Sequence, residues 1–125
     1  MICNVTDHLE QSAKLYPMKT AFVDTNEEIS YIDMNEIVNI LASHIINTGC
    51  VKDAVAVFLP KGVRCIVSFM AVAKGGNFYS PIDVSLPAER INKIIEKLRP
   101  QVVITDFGHK EEAEEIFSQA KNFDI

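Results

Sequence analysis

Residues Ala54 to Asp83 read AVAVFLPKGVRCIVSFMAVAKGGNFYSPID, and the order of patterns within them decides the fold. AVAVFL is a continuous apolar run, the pattern of a strand covered on both faces. Val63 to Lys74 reads as a helix and Phe78 to Ile82 as a second strand. Strand, helix and strand in succession imply a right-handed crossover between parallel neighbours. The helix is apolar nearly all round, with Ile66, Val67 and Met70 on one side and Cys65, Phe69 and Val72 on the other. It is expected to be buried from two directions.

The pattern continues on both sides. After the second strand come a helix over Pro87 to Leu98, the strand VVITD and a helix over Lys110 to Lys121. Phe123 to Ile125 stand where a further strand should begin. Ile91, Ile94, Ile95 and Leu98 make one stripe of the Pro87–Leu98 helix, whose other face is charged. Upstream, Asn4 can cap a helix over Val5 to Tyr16, which Pro17 stops. TAFVDTNEEISY reads as a hairpin turning at Thr25 to Glu27. A helix over Asp33 to Thr48 follows, with Met34, Ile37, Val38, Leu41 and Ile45 in a stripe and Gly49 as its C-terminal cap. The expected fold is α/β: a mainly parallel sheet with flanking helices in three layers, plus an N-terminal helix and hairpin.

Composition limits the function. The chain has 125 residues, 48% of them hydrophobic and 23% charged, with a net charge of −5. With no basic cluster, nucleic-acid and anionic-membrane binding are disfavoured. No apolar run approaches the roughly 18 residues of a membrane span, and the N-terminus does not resemble a secretion signal. Cys3, Cys50 and Cys65 are odd in number and far apart, which suits reduced thiols in a cytoplasmic protein.

The candidate sites read as structure. Gly75 and Gly76 follow a helix and precede a strand, the reverse of a phosphate loop, so they read as a helix end needing positive φ. LPKGV, Leu59 to Val63, has the right order but offers one glycine and one lysine, too few donors for a triphosphate. Asp83 ends a strand, where open α/β sheets bind ligands, yet it has no acid/base partner nearby. Asp83 and Ser85 are expected to organise the turn into the next helix, with Pro87 in its first turn. His8, His44 and His109 lack metal-ligand spacing. Cys65 should be protonated and inert in its apolar helix, and KEEAEE reads as a solvated face. No residue is assigned a catalytic, cofactor-binding or metal-binding role.

AKGGNFYSPIDVSLPAERI, however, resembles the second core motif of the adenylate-forming (AMP-binding) enzymes, Leu-Lys-Ala-Gly-x-x-Tyr-x-Pro-Ile-Asp. Lys74, Gly76, Tyr79, Pro81, Ile82 and Asp83 match, while Ala73 and Gly75 depart from it. Ile29 to Met34, centred on Tyr31, resembles the first core motif, Leu-Thr/Ser-Tyr-x-Glu-Leu, with Asp33 and Met34 as conservative departures. The tail Pro87 to Ile91 is similar to amino-acid-activating members: the adenylation domains of nonribosomal peptide synthetases and the D-alanine–carrier-protein ligases.

The resemblance implies that residues 1–125 are the N-terminal portion of an adenylation domain, itself part of a larger N-terminal domain, ending before the phosphate-binding loop. It implies an ATP- and Mg²⁺-dependent ligase that makes an acyl-adenylate and passes the acyl group to a carrier-protein phosphopantetheine or CoA. These residues alone would be inactive, and their partners would be the rest of the domain and the carrier protein. Tyr31, Lys74, Gly76, Tyr79, Pro81 and Asp83 would have structural roles. Pro87, Ala88 and Arg90 match the segment on which an MbtH-like helper docks in some bacterial synthetases, although Leu86 stands where such members commonly carry an aromatic residue. The alternatives are an acyl-CoA synthetase and a non-catalytic, flavodoxin-like interaction module.

Overall fold

A computed structural model describes residues 5–50, 52–118 and 120–125. The expected cap Asn4, and Cys3, lie outside the described residues.

The chain opens with helix α1 (Val5–Leu15) and a two-stranded antiparallel ribbon of β1 (Thr20–Val23) and β2 (Glu28–Ser30). The ribbon pairs Phe22 with Ile29 and Val23 with Glu28. Its turn is tied by Asp24 Oδ1, which accepts the N–H groups of Asn26 at 2.7 Å and Glu27 at 2.8 Å. Such an Asx turn is why Asp-Thr-Asn-Glu reverses the chain without a glycine. Helix α2 (Tyr31–Asn47) begins two residues before the expected Asp33, because Ser30 Oγ caps it by accepting the Asp33 N–H at 3.3 Å.

Four parallel strands follow: β3 (Ala54–Val57), β4 (Phe78–Pro81), β5 (Val102–Thr105) and β6 (Lys121–Asp124), in the spatial order β4-β3-β5-β6. Helices α3 (Val63–Lys74), α4 (Ala88–Leu98) and α5 (Lys110–Ile116) connect them in turn. The period-two alternation of strands sorts side chains to the two faces. Val55, Val57, Val102 and Ile104 join a core with α1, α2 and α3. Ala56, Phe58 and Val103 join a second core with Ile91 of α4, Ala113 of α5 and Phe117 just after it. The result is three layers, as expected, with β3 and β5 buried at every position. Each fully buried Val or Ile is worth roughly 1.5–3 kcal/mol relative to exposure.

Helix α3 meets the burial expected of it. The sheet covers one side and α1 with α2 the other, leaving Ile66, Phe69 and Met70 half-buried. Apolar exposure lies elsewhere, at Ile40 on α2 (60%), Phe78 on β4 (57%) and Phe107 after β5 (83%).

Further boundaries differ from the sequence reading. Helix α4 starts at Ala88, with Pro87 as its cap rather than in its first turn. It ends at Leu98, as expected, and the next residue, Arg99, takes a left-handed conformation (φ 47°) and donates its N–H to the Ile95 carbonyl at 2.8 Å. The last helix was expected to reach Lys121 but stops at Ile116. Residues 121–124 instead pair with β5 from Val102↔Lys121 to Thr105↔Asp124. A ladder to a buried strand wins over local helical preference there.

Candidate functional site

β3 and β5 are neighbours, but their connections leave in opposite directions. The chain passes from β3 through α3, on one face, to β4; from β5 it passes through α5, on the other face, to β6. Such a divergence opens a crevice at the carboxyl ends of the strands, the usual ligand position in open α/β sheets. Here the crevice has a volume of about 280 Å³, lined by Asp24, Glu27, Lys61, Gly62, Arg64 and Asp106, among others.

The crevice holds the start of α3, whose N–H groups would attract an anion. That position is filled from within. Asp24 Oδ2, on the hairpin, accepts the Val63 N–H at 2.8 Å. Gly62 makes the approach possible: a Cβ there would stand 2.6 Å from Asp24 Oδ2. The Val63 N–H, then those of Asn26 and Glu27, hold the Asp24 carboxyl below its usual range. Beside it, Arg64 Nε lies 3.3 Å from Glu27 Oε2, and Arg64 Nη1 donates to the Ile125 carbonyl at 3.0 Å. Across the crevice, Asp106 Oδ1 accepts the His109 N–H at 2.9 Å and lies 2.6 Å from His109 Nδ1. The start of α3 at the LPKGV loop is thus capped from within by the hairpin.

The motif positions are spread along the scaffold and do not converge. Tyr31 opens α2, donates its N–H to the Lys19 carbonyl at 3.0 Å and packs against the α1–α3 core. Lys74 ends α3, where its Nζ donates to Glu10 Oε1 of α1 at 2.7 Å and to Asn39 Oδ1 of α2. Gly76 has φ 78°, the positive value expected of it, while Gly75 has φ −76°. Tyr79 stacks on Phe69 of α3, with ring centres 4.3 Å apart. Pro81 closes β4. Asp83 Oδ1 accepts the Ser85 N–H at 2.9 Å and its hydroxyl at 2.8 Å, and these two bonds, the N–H first, depress its carboxyl pKa. Pro87, Ala88 and Arg90 are exposed at the start of α4. Burial raises the Cys65 thiol, as its apolar helix suggested.

Two residues escaped the sequence reading. Asp24 precedes the expected turn at Thr25 to Glu27, and nothing local marks its bond to Val63, 39 positions away. Asn77 is buried and braces the loop before β3: its Oδ1 accepts the Asp53 N–H at 3.0 Å, and its Nδ2 donates to the Cys50 carbonyl at 3.1 Å. An asparagine before a strand offers no sequence signal for either role.

The model of the AMP-binding enzyme family matches residues 9–124. The chain belongs to that family. The two stretches that resemble the family's core motifs fall at the β2–α2 junction and along the α3–β4 seam. Among curated relatives, the dimodular nonribosomal peptide synthase of Bacillus subtilis (strain 168) is 35% identical over 101 residues, 80% of this chain and 4% of that protein. Tyrocidine synthase 1 of Brevibacillus parabrevis is 32% identical over 97 residues, 77% of this chain and 9% of that protein. The chain thus spans less than a tenth of the length of these relatives. Among solved structures, the nonribosomal peptide synthetase FmoA3, bound to α-methyl-L-serine-AMP, superposes with a TM-score of 0.89 at 18% identity, over 98% of this chain and 14% of that one. A putative long-chain-fatty-acid CoA ligase from Rhodopseudomonas palustris CGA009 gives a TM-score of 0.84 at 23% identity, over 98% of this chain and 33% of that one. These two likenesses establish the α/β fold within AMP-binding enzymes, and the family match sets aside an unrelated flavodoxin-like module. Among the described residues, no helix is long and apolar enough to cross a membrane.

Proposed function

We propose that residues 1–125 are the N-terminal portion of an amino-acid adenylation domain, ending before its phosphate-binding loop. The observation that carries this reading is the 35% identity to a peptide synthase over 80% of the chain. In the whole enzyme a carboxylate oxygen attacks the α-phosphorus of ATP and pyrophosphate leaves, giving an acyl-adenylate. A carrier-protein phosphopantetheine or CoA thiol then takes the acyl group and AMP leaves. The carboxylate, a poor electrophile, becomes a good one.

This reading assigns no ATP or Mg²⁺ site to the described residues. No three His, Cys, Asp or Glu residues among them come together to hold a cation. The helix start in the LPKGV loop is already capped by Asp24. Charge on the transferring phosphates needs a metal ion and several aimed donors, so this reading gives those to later residues and leaves a supporting wall here. It places the enzyme in the cytoplasm, where Cys50 and Cys65, both free and buried, stay reduced. It also gives Pro87, Ala88 and Arg90 as the dock for an MbtH-like helper.

ATP–pyrophosphate exchange tests the assignment. The enzyme carrying this segment should exchange with at least one amino acid, and residues 1–125 alone with none. Exchange with fatty acids only would move the assignment to an acyl-CoA synthetase. Exchange by the 125 residues alone would overturn the division of labour.

A further inference from the structure

We draw no further inference here: the strongest candidate, the apolar cavity of about 430 Å³ between α4 and α5 with Arg99 among its lining residues, carries nothing because nothing in the structure shows what covers it.

Discussion

Asp24 satisfies three backbone N–H groups with two oxygens: Asn26 and Glu27 on Oδ1, Val63 on Oδ2. Its folded carboxyl titrates below the ordinary value of 3.8, so its stabilising effect is fully present above that value. The effect is lost as pH falls through the lower, folded value. Asp24→Asn should therefore lower the melting temperature at about pH 7, and the gap to wild type should close in acid. Asp83 is depressed too, but it is common to both proteins and cancels from the difference. A gap that stays constant through acid would show that the charge is not what matters. Gly62 provides a second test of the same contact. Its backbone is extended (φ 162°), open to any residue, so only the 2.6 Å approach to Asp24 Oδ2 opposes a side chain. Gly62→Ala should lower the melting temperature in wild type and cost nothing beside Asp24→Ala. Strict additivity in that double-mutant cycle would separate the two residues.

The elements were legible where their signal is local. The run AVAVFL gave β3, although Phe58 and Leu59 lie beyond the strand proper, and the apolar helix after it has the expected bounds of Val63 and Lys74. The end of that helix was legible too, because a left-handed residue there calls for glycine. The structure narrows the requirement to one of the pair: Gly76 at φ 78° has no atom within 4 Å of an added Cβ, while Gly75 at φ −76° has ordinary contacts from 3.5 Å outward. Gly76→Ala should thus cost about 1 kcal/mol by chemical denaturation, through backbone strain alone. Gly75→Ala should be nearly neutral, and equal costs would refute the distinction. The last helix was misread because what decides it is far away. Residues 110–121 look helical in isolation, but residues 121–124 gain a hydrogen-bonded ladder to β5 that no local window contains.

For the whole molecule, the contacts made by the motif positions lie between distant elements. Lys74 binds Glu10 across 64 positions, and Tyr79 reaches Phe69 only because α3 folds back on β4. The outer face of α4 is where the proposed reading would seat a helper. Ile91 of that helix is fully buried, whereas Ala88 and Arg90 face outward. The first turn of a helix tolerates, and slightly favours, an acidic residue. Ala88→Glu should leave the melting temperature unchanged while placing a bulky charge at the centre of the proposed dock. Capture of an MbtH-like helper by the full-length enzyme should then weaken by about tenfold or more, some 1.4 kcal/mol. Desolvating an unpaired carboxylate at an interface costs more than the small side chain it replaces. Arg90→Ala, which removes a charge without adding bulk, should have a smaller effect in the same assay. Capture at wild-type strength by a properly folded Ala88→Glu enzyme would place the helper somewhere other than the start of α4.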